Sequence, residues 1–265
     1  MLIIGEKLNS AIPKVRQIII EKDKAAVQNL ALKQVEGGAD YLDLNTAQCD
    51  EINDMEWVVN TVQEVTDTPL CIDSISADVV ERALNCIKGE KSKVLINSIS
   101  LEKDRLEGIL PLVLKYQCPV IGLTTDDNGI PKTAEERIDI TRRLIEILKE
   151  KGYCLEQLYI DPLVLPLAVD HNNATMFFEC LREIKRQFNV KTVSGLSNIS
   201  YNMPKRKIIN RQFLAMCMAF GMDAAILDPL DGKIMTAVVT NELLLGKDRF
   251  GRSYLKAYRT NTLED

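Results

Sequence analysis

The chain of 265 residues carries 33 Lys and Arg against 38 Asp and Glu, a formal net charge of −5, and its sequence pI is about 5.2. Its basic runs are short, so it lacks the electrostatic footprint of a nucleic-acid-binding protein. The sequence contains neither an apolar window of about 18 residues nor a signal-peptide pattern, which predicts a cytoplasmic protein without a membrane segment.

Cysteine and histidine usage limits the possible metal chemistry. Seven cysteines are scattered along the chain without a CxxC pair, and His171 is the only histidine. In a reducing compartment such cysteines are typically small core residues. A single imidazole excludes a His-rich metal centre, and we predict no metal site.

Short apolar runs alternate with longer amphipathic stretches along the chain. The short runs predict eight strands, at residues 2–5, 41–45, 69–73, 93–98, 119–124, 158–164, 191–197 and 223–228. The longer stretches have apolar residues at i, i+3 and i+4. They predict eight helices, at residues 22–36, 54–66, 77–88, 102–116, 134–151, 173–187, 206–220 and 232–245.

Strict alternation of strand and helix implies parallel strands joined by crossover helices. Eight such repeats in a chain of this length predict an α/β fold of the (β/α)₈ TIM-barrel type. An open doubly wound sheet is disfavoured because no GxGxxG fingerprint follows the first strand. Without a linker or a break in composition, a single domain is predicted over residues 1–265.

The C-terminal ends of the strands form the catalytic face of such barrels. The residues expected there are mostly carboxylates and amides, namely Glu6, Asn9, Asp43, Asn45, Asp73, Asn97, Thr124, Asp161, Asn198 and Asp228. The absence of lysine from this set argues against a Schiff-base aldolase. The loops after strands seven and eight make a weak phosphate cradle, and the low aromatic content argues against a glycosidase.

Carboxylates and amides around one mouth suit a flat, neutral, polar ligand. A carboxylate accepts hydrogen bonds from two adjacent N–H groups, and an amide both donates and accepts. A heterocycle with an amidine-like edge, such as a pterin, presents the complementary groups. These residue types indicate a class of ligand but no particular reaction.

Several segments together resemble one family over essentially the whole chain. They include LIIGEKLN at the start, LCIDS (70–74), LINS (95–98), LYIDPLVLP (158–166) and GLSNIS (195–200). Their joint pattern is similar to that of the methyltetrahydrofolate:corrinoid methyltransferases. Members of that family are pterin-binding TIM barrels that pass a methyl group between N5 of tetrahydrofolate and the cobalt of a corrinoid protein.

The resemblance implies roles for individual residues. The family's pterin-binding Asp, Asn and Asp match Asp73, Asn97 and Asp161, and its amide beside N5 matches Asn198. A basic residue near the folate tail matches Arg206 by spacing. The resemblance therefore predicts Asn198 as the catalytic residue, and it predicts a folate-binding set that consists of Asp73, Asn97, Asp161, Asn198, Tyr201 and Arg206.

One position departs from the family pattern, because Tyr201 stands where familiar members carry Gln. The contact next to N5 is therefore expected to be remodelled. A neutral amide at Asn198 suits this chemistry, since it can donate to or accept from N5 as charge develops in the transition state.

Purely structural roles remain open for three other polar residues at the strand ends. Asp43 and Asn45 could cap a helix or fix a loop instead of serving the site. Asp228 reads more readily as part of a turn into the last helix.

The resemblance also implies partners. The chain has no DxHxxG motif and no room for a cobalamin domain, so the corrinoid is expected to arrive on a separate protein, and a homodimer is expected. Two rival functions stay open: a dihydropteroate synthase, although its SxK and RxH signatures are missing, and a non-catalytic folate carrier or corrinoid-docking protein. The direction of methyl transfer stays open as well.

Overall fold

The computed structural model describes residues 1–264 and contains eight parallel strands. They are β1 (Leu2–Asn9), β2 (Tyr41–Asn45), β3 (Leu70–Asp73), β4 (Leu95–Leu101), β5 (Val120–Asp126), β6 (Leu158–Asp161), β7 (Lys191–Thr192) and β8 (Ala224–Leu227). Their order in the sheet is β7-β6-β5-β4-β3-β2-β1-β8. The predicted (β/α)₈ barrel is therefore confirmed.

Ten α-helices surround the strands in the described part of the chain. They are α1 (Pro13–Ile20), α2 (Lys24–Glu36), α3 (Glu51–Val62), α4 (Ala77–Cys86), α5 (Lys103–Tyr116), α6 (Ala134–Glu150), α7 (Asn173–Phe188), α8 (Arg206–Ala219), α9 (Gly232–Leu244) and α10 (Arg252–Arg259). Within residues 1–264, none of these helices is both long and apolar enough to cross a membrane.

Backbone hydrogen bonds link the two ends of the sheet. The amide of Asp223 donates to the carbonyl of Thr192 at 3.2 Å, and that of Ile226 donates to Ser194 at 3.0 Å. Gly195 and Ile226 form an isolated parallel bridge. The short β7 and its extension thus complete the barrel beside β8, and the C-terminal ends of the strands meet at one mouth.

Side chains alternate along each strand between the barrel interior and the helix layer. Ile4, Cys71, Leu95, Ile121, Val193 and Ala224 form a small apolar cluster inside the barrel. Two residues beyond the interior positions of β1, β3 and β4 stand Glu6, Asp73 and Asn97. The interior is thus apolar below and polar at the mouth.

Several predicted boundaries differ from the structure, and three of the differences have a clear local cause. The predicted helix 22–36 begins at Lys24, because Lys22 has a left-handed φ of +54° and Asp23 caps the helix by accepting from the Ala26 amide. The predicted strand 158–164 ends at Asp161, since the following proline lacks an N–H group. The predicted strand 191–197 ends at Thr192 and continues into a 3₁₀ helix at Leu196–Ser200.

Two helices, α1 and α10, were not predicted. Each has only eight residues. Two turns give a weak periodic signal, and such short helices depend on packing more than on their own propensity. Pro13 begins α1, where its missing N–H group has no helical partner to lose.

Candidate active site

A cavity of about 680 Å³ opens at the C-terminal mouth of the barrel. Its lining brings together five of the six predicted site residues, which are Asp73, Asn97, Asp161, Asn198 and Arg206. Strands β3, β4 and β6 supply the first three, and Cα pairing sets Asp73 directly beside Asn97. Residues that are far apart in the sequence therefore converge on one site.

Asp161 is almost fully buried at the end of β6, with 7% exposure. Its Oδ1 accepts hydrogen bonds from the Ser194 hydroxyl and from the Leu163 amide, the latter at 2.7 Å. Burial raises the pKa of Asp161 to about 6, although both hydrogen bonds and the charge of Arg137 act to lower it. The second carboxylate oxygen remains available to a ligand, because both protein donors converge on Oδ1.

A pair of carboxylates, Asp43 and Asp73, lies on the other side of the cavity. Burial and then the charge of Asp73 raise the pKa of Asp43 well above its usual range. Burial also raises the pKa of Asp73, against a 2.8 Å hydrogen bond donated by Asn45. The Asn97 amide lies 3.5 Å from Asp43. Two acids in such surroundings favour a ligand that donates N–H groups.

From the sequence alone, Asp43 and Asn45 could either fix a loop or belong to the site. The structure places Asp43 in the cavity lining and Asn45 behind it as a donor to Asp73. Their alternate spacing on β2 was the available signal, because residues i and i+2 face the same side of a strand. Asp228 accepts from the Leu230 amide, as the predicted turn requires, and also pairs with Lys7 at 3.0 Å.

Glu6 is a further cavity residue without a predicted role. Its Oε2 accepts a 3.1 Å hydrogen bond from the Ser197 hydroxyl, beside Asn198 in the chain. Burial raises the pKa of Glu6, while Ser197 and Lys7 lower it. The carboxyl of Glu6 therefore anchors the segment that carries Asn198.

Asn198 is an exposed residue of the 3₁₀ helix at Leu196–Ser200. Within residues 1–264 its carboxamide makes no hydrogen bond, so both of its polar atoms are available to a ligand. A Cβ at Gly195 would lie 3.2 Å from Nδ2 of Asn198. Glycine at this position therefore leaves room for the carboxamide.

Comparisons with known proteins identify the family of this chain. The model of the family described as pterin binding enzyme matches residues 10–228. The chain belongs to the pterin-binding enzyme family. A methylcorrinoid:tetrahydrofolate methyltransferase from Eubacterium limosum is 37% identical over 266 residues, which cover 98% of this chain and 96% of that relative.

Two methionine synthases share a smaller region with this pterin-binding enzyme. Those of Mycobacterium leprae and Mycobacterium tuberculosis are each 29% identical over 242 residues, covering 85% of this chain. The matched region is only 20% of each methionine synthase.

Solved structures of dihydropteroate synthases share the fold. The Yersinia pestis enzyme has a TM-score of 0.65 at 17% identity, covering 92% of this chain and 93% of that one. The Clostridium difficile enzyme has a TM-score of 0.67 at 19% identity, covering 92% and 96%. At such low identity the likeness is one of fold alone.

Arg206 and Tyr201 of this pterin-binding enzyme differ in their placement. Arg206 lines the cavity, and its guanidinium donates to the Ser197 carbonyl at 2.8 Å and to the Ser200 hydroxyl at 3.1 Å. Arg206 thus ties down the segment around Asn198. Tyr201 is 56% exposed and lies outside the residues that line the cavity, so its role next to N5 stays a prediction.

Proposed function

We propose that this protein transfers a methyl group between N5 of tetrahydrofolate and the cobalt of a corrinoid carried by a separate protein. The observation that carries the proposal is the cavity in which Asp73, Asn97, Asp161 and Asn198 meet. The Eubacterium limosum relative, named for transfer from methylcorrinoid to tetrahydrofolate, supports the same chemistry and that direction. The proposed domain spans residues 1–265.

The pterin edge suits the buried acids. The 2-amino group and the adjacent ring N–H of a pterin form two parallel donors, which match the two oxygens of one carboxylate. Asp161, with Oδ1 already held by the protein, offers Oδ2 to such a donor. Asn97 can serve both a ring nitrogen and a carbonyl. We assign pterin binding to Asp73, Asn97 and Asp161 on this basis.

Asn198 is proposed to act on N5. In transfer to tetrahydrofolate, the N5 lone pair forms the bond to the methyl carbon while the cobalt–carbon bond breaks with its electron pair left on cobalt, and the N5 proton passes to solvent. In the opposite direction N5 must gain a proton, because its anion is a poor leaving group. A carboxamide free of protein hydrogen bonds can accept from N5–H or donate to the N5 lone pair, which allows it to serve both directions.

The partner is proposed to approach over the mouth. Five large apolar side chains on the loops after β3, β5, β6, β7 and β8 are at least 42% exposed, namely Ile75, Ile130, Val169, Tyr201 and Leu230. Apolar side chains exposed around a cavity mouth are typical of interaction sites. A corrinoid domain that covers them would bring its methyl group to the cavity.

A homodimer is proposed through the outer helices at the C-terminal end of the chain. Met216, Leu244, Phe250, Leu255 and Tyr258 are all at least 45% exposed on α8, α9, α10 and their connections. This surface lies on the outer helix layer, so a second copy there would leave the mouth open. Static light scattering at micromolar concentrations tests it, and a monomeric mass would contradict it.

A cytoplasmic location is proposed as well. All seven cysteines lie in the described part of the chain as free thiols, and four of them are buried. Their use as packing residues supports a reducing compartment.

The central test is methyl transfer to or from free cobalamin, measured by stopped-flow absorbance with saturating folate. Asn198→Ala is expected to reduce the rate about 10- to 1000-fold, with a smaller loss of folate affinity, because the carboxamide acts mainly on charge that develops in the transition state. Tyr201→Phe should cause a milder loss.

Asn85→Ala is the matched control, since Asn85 is an exposed amide on α4. A near-normal rate in folded Asn198→Ala would remove Asn198 from catalysis. Absence of any single-turnover transfer in the unmodified protein would favour the non-catalytic carrier. Formation of a pteroate from 4-aminobenzoate would favour a dihydropteroate synthase.

A further inference from the structure

Arg137 is an entirely buried arginine on the first turn of α6, with 0% exposure. Burial lowers the pKa of its guanidinium, and within residues 1–264 no carboxylate forms a hydrogen bond with it. Arginine is rarely buried without an acidic partner, because removing its charge from water is unfavourable. The hydrogen bonds of its guanidinium are therefore expected to have a specific structural or functional role.

The guanidinium bridges two loops through backbone carbonyls. Nη1 donates to Pro162 at 2.6 Å and to Leu163 at 2.8 Å, directly after β6. Nε and Nη2 both donate to Pro131, in the loop after β5, at 3.3 and 3.2 Å. The planar fork of arginine can satisfy these separate acceptors at once, whereas a lysine ammonium has a different geometry.

The turn held by Arg137 has a strained backbone. Leu163 has a φ of +66°, in the left-handed region that a bulky residue seldom adopts. Such a conformation persists when the surrounding contacts determine it, and it is common at functional sites. In this conformation the Leu163 amide donates to Oδ1 of Asp161 at 2.7 Å. The guanidinium therefore acts on Asp161 through the turn at residues 161–163.

Arg137 also acts on Asp161 by its charge. It is the one charged group that lowers the pKa of Asp161, and the other two groups that lower it, the Ser194 hydroxyl and the Leu163 amide, are neutral. Cys180 of α7 interacts with the guanidinium rather than with Asp161. The other carboxylates that line the cavity are Glu6, Asp43, Asp73, Asp228 and Asp231.

We propose that Arg137 is a positioning residue that sets both the orientation and the ionisation of Asp161, and thereby the affinity for the pterin of tetrahydrofolate. The inference rests on the proposed function. It assigns a role in ligand binding to a residue of α6 that does not itself line the cavity.

The experiment measures the affinity for 5-methyltetrahydrofolate by anaerobic calorimetry between pH 5 and 8. The proteins compared are the unmodified protein, Arg137→Met, Arg137→Lys, and Asp161→Asn with and without Arg137→Met. Arg142→Met is the matched control, because Arg142 is an exposed arginine of the same helix. Circular dichroism establishes that each variant is folded.

In the unmodified protein, affinity should fall as the pH is lowered through about 6, where Asp161 takes up its proton. In Arg137→Met this fall should occur about one pH unit higher, since the charge that favours the ionised carboxylate is gone. Arg137→Lys should keep the original midpoint but bind about tenfold more weakly, because the fork to the turn is lost. Arg142→Met should resemble the unmodified protein.

The Asp161→Asn background separates Asp161 from the other titrating groups and from the folate itself. In the Asp161→Asn background, addition of Arg137→Met should leave the pH midpoint of folate affinity unchanged. A folded Arg137→Met with unchanged midpoint and affinity would overturn the proposal, as would an equal midpoint shift in the Asp161→Asn background.

If Arg137→Met does not fold, normal affinity in Arg137→Lys overturns the proposal, and unfolding of both variants assigns Arg137 to stability alone. Failure of the unmodified protein to bind the folate would instead refute the proposed function.

Discussion

Replacement of Asp161 by Asn is expected to stabilise the fold while it weakens folate binding. Asp161 is 7% exposed, and its burial raises the pKa of the carboxyl from 3.8 to about 6. The folded protein therefore holds the Asp161 proton more tightly than the unfolded chain does. Ionisation of this residue at neutral pH opposes folding.

The sign and size of the effect follow from proton linkage. Between pH 3.8 and about 6 the folded state binds more protons than the unfolded state, so its stability decreases as the pH rises through that window. With these two pKa values the loss is about 1.5 kcal/mol at pH 5 and about 3 kcal/mol above pH 7. Asn carries no charge, and its Oδ1 can still accept from Ser194 and Leu163.

Urea unfolding between pH 5 and 8 measures this difference. Asp161→Asn should have the larger free energy of unfolding at pH 7 to 8, by up to about 3 kcal/mol, and the advantage should shrink toward pH 5. Asp67→Asn, at an exposed position, is the control and should show little change. A destabilised Asp161→Asn variant, or a difference that does not depend on pH, would refute the reasoning.

The same variant should bind 5-methyltetrahydrofolate about 10- to 150-fold more weakly, because a charge-assisted hydrogen bond in a desolvated site contributes about 1.5–3 kcal/mol. Stability and affinity would then move in opposite directions, as expected where a site is maintained at the expense of the fold. Unchanged affinity in the folded variant would remove Asp161 from the pterin site.

Three further outcomes are expected. Gly122→Ala should lower the free energy of unfolding in urea by about 1–3 kcal/mol, because a Cβ there would lie 2.5 Å from Cδ2 of the buried Leu144. Arg206→Ala should reduce methyl transfer with free cobalamin about tenfold in a folded protein, since the Ser197 carbonyl loses its guanidinium donor; an unchanged rate would contradict this. Asp43→Asn should raise the free energy of unfolding increasingly from pH 5 to 8, because burial raises the pKa of Asp43 and its ionisation opposes folding; a pH-independent difference would count against it.

The barrel was predictable because each of its elements has a local signal. Helix α6 shows this well: Thr133 and Glu136 form a capping box at its start, and apolar residues follow at helical spacing. Strand β2 matched its predicted limits, 41–45, since a short apolar run is bounded by polar residues. The eight-residue helices α1 and α10 escaped prediction because two turns depend on packing that the sequence does not display.

The lining of the candidate site was predictable in part. The predicted Asp73, Asn97 and Asp161 are brought together, because the ends of parallel strands meet at one mouth. Tyr201 is not brought to the cavity lining, since the segment after β7 turns into a 3₁₀ helix that ends at Ser200. This 3₁₀ helix is also held by the hydrogen bond from the Ser197 hydroxyl to Glu6, a residue that is remote in sequence.

The sequence by itself determined the alternation of strands and helices, the polar side chains at the strand ends and the family, because these depend on residue type, spacing and local order. The tertiary structure decided which polar groups are desolvated and what each one contacts. The raised pKa of Asp161 and the buried guanidinium of Arg137 behind it depend on three separate parts of the chain, namely Arg137, residues 161–163 and Ser194. Desolvation and long-range charge depend on distance in space, and distance along the chain does not report them.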